Sequence, residues 1–400
     1  MPDDALPQPP QKRGFDPSQS SPITPGDFFA IELDGGLALY KENANQVYVL
    51  NPSAKMMWLE LEAGRSPAQA AKAISRAYEA PESVALADVT AALALWKKEG
   101  MFDPPQEPGG GAPVEKEPAA EDFTYHSERH YRMLGKKFSV AYSTPFLEML
   151  IHPRLASPMT DPGGGDMRFH IADDKGSYRL FVDGIVTATC VRFEVIGGHF
   201  FRQLAMRLHP DRRIAATIHG AAVSRNGRTM LAPAYFGSGK STLTAAMVKN
   251  GYKYFSDDFV PVTMGPPAEA LPMPINIGLK QGSWAVLAPY YPELAGLPVN
   301  PKFDDRPAKY IRVPEDSIAT APARIDWIIF PAYRPGTRAR LISQTHLQAL
   351  TNLAASHSFN LSGKEGLIRI IEWIKATPSY LLEMDPLPEA MDELEKLWNS

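Results

Sequence analysis

The sequence predicts an α/β protein with a phosphate-loop core, preceded by a small winged-helix-like α+β domain. Three observations predict it. A strand, a glycine-rich loop and a helix follow one another from Arg228 to Lys249; short strand-like runs and then helical periods fill Asp27 to Phe102; and a Pro/Gly-rich acidic stretch lies between the two regions. The 400 residues, 44% hydrophobic and 22% charged, exceed one small module and suit two or three domains. Lys and Arg number 41 against 45 Asp and Glu, a formal charge of −4, so no chain-wide cationic field exists to condense on nucleic acid or anionic lipid. The lone cysteine, Cys190, can close neither an internal disulfide nor a thiolate metal site, which suits a reducing compartment. The acidic, Pro-rich start lacks the apolar core of a signal peptide, and no run of about 18 apolar residues offers a membrane span. A cytoplasmic protein with no nucleic-acid or membrane partner is expected.

Residues 1–26 carry too little apolar side chain to offset the entropy of ordering and are expected to be a disordered N-terminus. A domain at 27–102 follows, beginning with strand-like runs at Phe28–Ile31, Leu37–Tyr40 and Gln46–Leu50, the first two joined by the turn signal Asp34-Gly35-Gly36. Asn51-Pro52-Ser53 then caps a helix with Met56, Met57, Leu59 and Leu61, which Gly64 stops. Ser66-Pro67 caps a second helix, with Ala71, Ile74 and Tyr78. A third, from about Pro81 to Gly100, carries Val84, Leu86, Val89, Leu93 and Trp96, with Lys97 and Lys98 at its negative end. Residues 103–122 mix stiff proline, flexible glycine and acidic charge, as an interdomain linker does, and 123–400 form the large domain, with Thr160–Asp166 a loop within it.

Winged-helix-like units commonly bind DNA, but Glu82, Asp88 and Glu99 offset Lys97 and Lys98 on the third helix, so no cationic face is left for phosphates. Leu50-Asn51-Pro52-Ser53-Ala54, then Trp58 and Gly64, then Gly100-Met101-Phe102, resemble the PqqD family of peptide recognition domains in ribosomal-peptide biosynthesis. That resemblance implies capture of a leader peptide as an added strand beside the three-stranded sheet, leaning on the third helix. Trp58, Leu93 and Trp96, taken singly, read as core.

In the large domain, two apolar strand-like segments flank Asn226-Gly227, a type I′ hairpin signal within Ile214–Leu243. The second runs into Gly237-Ser238-Gly239-Lys240-Ser241-Thr242 and a helix through about Lys249, closed by Asn250-Gly251. Here Gly237 and Gly239 can take positive φ so that backbone N–H groups converge on phosphate oxygens, Lys240 reaches the transferable phosphate, and the Ser241 hydroxyl can ligate Mg²⁺. Ala234 stands where the general motif has its first glycine. The strand-like Tyr252–Ser256 ends in Asp257-Asp258, placed where Mg²⁺ ligands and bases of phosphoryl transfer sit. Neighbouring side chains on an extended strand face opposite ways, so one aspartate is expected on the phosphates and the other on a second partner, with His219 a candidate for that partner, unless the chain turns there.

His219-Gly220, Gly227, the Gly237–Ser241 loop, Gly251-Tyr252 and Asp257-Asp258 are together similar in order and spacing to the HPr kinase/phosphorylase superfamily. Tyr131–Val140, Pro272–Trp284, Lys309-Tyr310-Ile311 and Ile325–Tyr333 resemble its branch of kinases acting on lasso-peptide precursors. The resemblance implies an HPr-kinase-like core, ATP·Mg²⁺ as donor and a seryl or threonyl hydroxyl as acceptor. It further implies that Asp257 and Asp258 supply base and metal contact and that His219 orients or tunes them. Phe236 stands where a small polar residue is usual, and Ile277-Gly278-Leu279-Lys280 replaces an acidic metal-contacting motif.

Lys280 is a candidate to neutralise phosphate, and Arg306, Lys309 and Arg312 are candidates to guide an acidic substrate; Met247, Trp284, Tyr290 and Tyr291 read as packing or rim residues. A strand at Asp326–Phe330, helices at about Thr345–Ser356 and Lys364–Lys375, a strand at Tyr380–Met384 and a helix from Pro388 complete the expected core. The expected activity is phosphorylation of a precursor peptide; a nucleotide-binding peptide chaperone and a small-molecule kinase for a hydroxy amino acid are the alternatives. The oligomeric state is open, with a homo-oligomer among the options.

Overall fold

A computed structural model describes residues 28–102, 118–155, 165, 167–233, 237–301, 306–355 and 359–399. The expected N-terminal segment 1–26, linker residues 103–117, the Thr160–Asp166 loop apart from Gly165, and the Ala234 and Phe236 positions lie outside them. The chain divides into two compact units, Met1–Gly110 and Gly111–Ser400.

In the first unit, strands Phe29–Leu33, Gly36–Lys41 and Gln46–Leu50 form an antiparallel sheet in chain order. Asp34 and Gly35 both take positive φ (46° and 78°), the geometry a two-residue primed turn demands. Helices follow at Pro52–Glu62, Pro67–Tyr78 and Glu82–Lys98. The Asn51 side chain caps the first by accepting from Ala54 N–H, and Ser66 with Gln69 forms a capping box on the second. Leu37, Leu39, Met57, Trp58, Val89, Leu93 and Trp96 are buried together between sheet and helices. Trp58 packs edge-on against Phe28 and Trp96 and stacks on Phe102. The Gln46–Leu50 strand is a sheet edge, and its Tyr48 hydroxyl donates to the Glu99 carbonyl at the end of the third helix, 2.9 Å away.

Among the described residues the second unit has four sheets. Strands Ser127–Met133, Lys136–Tyr142, Met167–Asp174, Ser177–Val182 and Ile185–Cys190 pair in that order, and helices Pro145–Leu155 and Phe193–Leu208 bury a shared core against them. A six-stranded sheet runs, in spatial order, Lys253–Asp257, Gly220–Arg225, Arg228–Pro233, Trp327–Tyr333, Ser379–Met384 and Arg340–Ser343. Its three middle strands from Arg228 to Met384 are mutually parallel. A five-stranded sheet contains Val260–Thr263 paired with Ile214–Ile218, and the short strands Ile277–Lys280, Pro307–Ile311 and Asn300–Pro301 make a fourth, three-stranded sheet.

The segment expected as one strand before Asn226 is two strands. Ile214–Ile218 belongs to the five-stranded sheet and Gly220–Arg225 to the six-stranded one, with His219 at the break. The antiparallel partner does the same: Lys253–Asp257 lies in one sheet, Val260–Thr263 in the other, and Asp258 turns the corner with φ 79°. A paired ribbon thus crosses from sheet to sheet, and both of its corners fall at one place. Helix Lys240–Lys249 packs against this ribbon with Leu243, Ala246 and Met247 buried. No helix among the described residues is long and apolar enough to cross a membrane.

Candidate active site

The loop after strand Arg228–Pro233 delivers its residues to the N-terminus of helix Lys240–Lys249. Gly237 and Gly239 have φ of 86° and 88°, a region that costs other residues dearly. At Gly239 space is also short, because an added Cβ would lie 2.3 Å from Met384 Cε. Gly220, paired with Pro233 on the neighbouring strand, is needed for close approach, since a Cβ there would meet the Ala232 carbonyl oxygen at 2.9 Å. Tyr333 N–H donates to the Ser238 carbonyl at 3.1 Å, fixing the loop to the end of a parallel strand.

At the ribbon corner the two aspartates do not part. The left-handed turn at Asp258 brings both carboxylates to one ammonium: Lys240 Nζ bonds Asp257 Oδ1 and lies 3.2 Å from Asp258 Oδ1. Ser241 Oγ donates to Asp257 Oδ2 at 2.8 Å. The chain turns here, the exception that the strand argument allowed, so the two aspartates converge and the second is not turned to His219. His219 instead reaches the backbone, its Nδ1 lying 3.1 Å from the Asp258 carbonyl oxygen. To donate there Nδ1 must carry a proton.

Lys240 is 5% exposed, Asp257 0% and Asp258 8%, so the cluster is nearly dry. Burial pulls the Lys240 pKa down, and the adjacent Asp257 and Asp258 carboxylates outweigh it, holding the ammonium above its ordinary value. Burial foremost, then the same two carboxylates, raises the Tyr254 phenol well above its usual range, and its hydroxyl donates to the Ile275 carbonyl.

A cavity of about 510 Å³ opens here, lined by His219, the Gly237–Thr242 loop, Asp258 and Lys280. Asp257 lies behind this lining and Asp258 forms part of it. Of the basic residues expected near a substrate, Lys280 is on the cavity wall. Lys309 is not available as a guide: it is 9% exposed, its ammonium donates to the Leu294 and Ala295 carbonyls, and it lies over the Trp284 ring. Arg312 is exposed beside Glu315, 3.4 Å away. Met247 is fully buried and Tyr291 donates to the Ala245 carbonyl, so both are packing residues.

Sequence reasoning missed Ser283, whose hydroxyl is 2.6 Å from that of Thr242, and the wall formed by Tyr333 and Met384–Pro388. The signal that finds the wall is topological. Ligand crevices in α/β sheets open at the carboxyl ends of parallel strands, and Tyr333 and Met384 end the two strands parallel to the one that feeds the loop.

Residues 36–101 match the family model for Coenzyme PQQ synthesis protein D (PqqD). The chain therefore carries a PqqD domain in its first unit, spanning the second and third strands and all three helices. The match supports recognition of a ribosomally made precursor peptide as the task of that unit. No curated protein matches the chain.

Proposed function

We propose that the chain is a kinase that transfers the terminal phosphoryl group of ATP·Mg²⁺ to a seryl or threonyl hydroxyl of a precursor peptide, held through its leader by the PqqD domain. The convergence of Lys240, Ser241, Asp257 and Asp258 at the start of a helix, beneath two positive-φ glycines, carries this reading. The donor set suits a triphosphate. The helix N-terminus faces the cavity with its positive end, and Ser238 Oγ is buried without a hydrogen-bond partner. Among the described residues no three His, Cys, Asp or Glu side chains gather as a metal site. A divalent cation here would take Ser241 Oγ and Asp257 from the protein and complete its shell with phosphate and water.

Bound in this loop, ATP·Mg²⁺ would supply the phosphoryl group and neutralise much of its charge. Lys240 exchanges one or both carboxylates for phosphate oxygens, which frees the pair for other work. Asp257, sharing the Ser241 hydroxyl, is the metal contact; Asp258, on the cavity wall, is the base. Asp258 takes the acceptor proton as that oxygen bonds phosphorus and the bond to the departing diphosphate breaks. His219 holds the Asp258 backbone, and so acts as a positioning residue. Lys280 adds a second cation at the wall. In the PqqD domain, the free edge of Gln46–Leu50 offers backbone groups for an added strand, and Leu95 on the third helix, 54% exposed, offers it an apolar contact.

Intact-mass analysis of a precursor peptide incubated with the protein and ATP·Mg²⁺ tests this. One added phosphoryl group is expected, absent with Lys240→Ala although that variant binds leader as tightly as wild type. A peptide that binds and is never modified would mark a chaperone instead.

A further inference from the structure

The cavity at the loop, at about 510 Å³, has the size of a pocket for an entire small-molecule ligand, and phosphate groups account for only one end of it. The rest of the lining is of another kind. Val286 comes from the short helix Gln281–Leu287, while Tyr333, Met384, Pro386 and Leu387 come from the ends of two parallel strands and the start of the helix Leu387–Asn399. Among the described residues, Asp385 is the only acid in the lining besides Asp258. Val286 and Tyr333 are 46% and 53% exposed, among the large apolar side chains left most open to water.

These two lips are fastened to the loop from different elements. Thr242 Oγ1 and Ser283 Oγ, 2.6 Å apart, tie the Val286 helix beside the first turn of Lys240–Lys249. Tyr333 N–H on the Ser238 carbonyl, and Met384 against Gly239, tie the other lip to the loop itself. Whatever is attached to phosphates seated on the loop therefore shares its cavity with an exposed valine on one lip and an exposed tyrosine on the other. A flat aromatic group fills such a slot, because it can cover both apolar faces at once and stack on the phenol ring. Gly336 N–H holds Asp385 Oδ2 at 2.7 Å, and an ionised carboxylate only accepts hydrogen bonds, so its other oxygen calls for a hydroxyl or amine donor.

We infer that this half of the cavity is a nucleoside slot, in which Val286 and Tyr333 enclose the base and Asp385 accepts from the ribose hydroxyls. The assignment rests on the kinase reading, which places phosphates on the loop.

Calorimetry on the full chain separates the two. Wild type should bind ATP·Mg²⁺ more tightly than Mg²⁺·tripolyphosphate. The double variant Val286→Ser with Tyr333→Ala should weaken ATP at least about fivefold, the loss expected when one base loses its stacking surface, and leave tripolyphosphate within about twofold. Retained tripolyphosphate binding also certifies that the variant is folded. Asp385→Asn should narrow the preference for ATP over 2′-deoxy-ATP. The slot is overturned if wild type binds tripolyphosphate as tightly as ATP, or if the double variant weakens both ligands equally. It is also overturned if ATP affinity is unmoved while the KM for the acceptor peptide rises, which would make the slot a peptide site. Failure of wild type to bind either ligand would remove the phosphate reading as well.

Discussion

Each residue at the loop carries a separable burden. On the proposed kinase reading, Asp257→Asn should weaken Mg²⁺ affinity, raising the metal concentration for half-maximal rate, because Asp257, bonded to Ser241, would be part of the protein's share of the metal shell. Asp258→Asn should lower kcat by about 10²-fold or more with metal affinity kept, the usual scale for losing a positioned base. Equal effects from the two substitutions would refute this division of labour. Gly239→Ala should cost more than the ordinary preference for glycine, since its Cβ would both adopt φ 88° and collide with Met384. Adding Met384→Ala should relieve the collision and leave the backbone strain, which thermal unfolding of the single and double variants can tell apart. Which residues gather here was legible in the sequence, where glycine, lysine, serine and aspartate stand at the spacings of a phosphate loop and a strand end. Their mutual geometry was not. Strand alternation sends Asp257 and Asp258 apart, and the left-handed turn that reunites them is made by an aspartate, which carries no glycine-like signal. Lys309 shows the reverse failure, a charge that reads as a guide for substrate yet is held on carbonyls over the ring of Trp284.

Among the elements, those with local signals were legible to within a few residues. Asn51, the Ser66–Gln69 box and the Asn226-Gly227 turn each satisfy backbone groups near themselves in sequence. The ribbon from Ile214 to Arg225 was not legible as two strands, since apolar residues run through it without change; its break at His219 is imposed by pairing with Lys253–Thr263, distant in sequence. Long-range fastening also governs the last helix, Leu387–Asn399. Arg225 grips Glu395 with two guanidinium nitrogens, Tyr252 donates to Glu395, and Trp398 Nε1 donates to the Arg225 carbonyl. The hydrogen bonds from Arg225 hold the Glu395 carboxyl below its ordinary value, with burial opposing them. A depressed carboxyl stabilises the fold above the pKa of the unfolded chain, and that contribution is lost as pH falls through the folded value. Glu395→Gln should therefore cost about 1 kcal/mol near neutrality, the scale of a partly exposed bidentate pair, and converge with wild type in acid. A difference in unfolding midpoint that persists below the carboxylate range would sink this account. In the first unit, Trp58→Ala should cost about 3–5 kcal/mol, as removal of a fully buried indole does, and abolish leader binding with the fold of that unit.

At the scale of the whole molecule, the sequence resembled two modules with a linker between, and the chain has two compact units, the first with a PqqD domain. If the first unit holds the leader, the second carries the chemistry, and residues 103–122 are the linker their composition predicts, the acceptor hydroxyl is presented at an effective concentration of about millimolar, the usual value for a short flexible linker. The active site can then bind the acceptor weakly and still turn over, because transfer draws on positioning and charge more than on tight ground-state contacts. Deletion of residues 1–105 should accordingly raise KM for the full precursor by orders of magnitude while kcat, and the slow reaction with a leaderless acceptor, stay near their wild-type values. Restoring the severed first unit as a separate protein at micromolar concentration should recover little, since it returns the binding surface without the connection. Full recovery in trans would mean that leader binding activates the second unit instead of delivering substrate to it, and an unchanged KM would mean that the acceptor is a small molecule the first unit never handles.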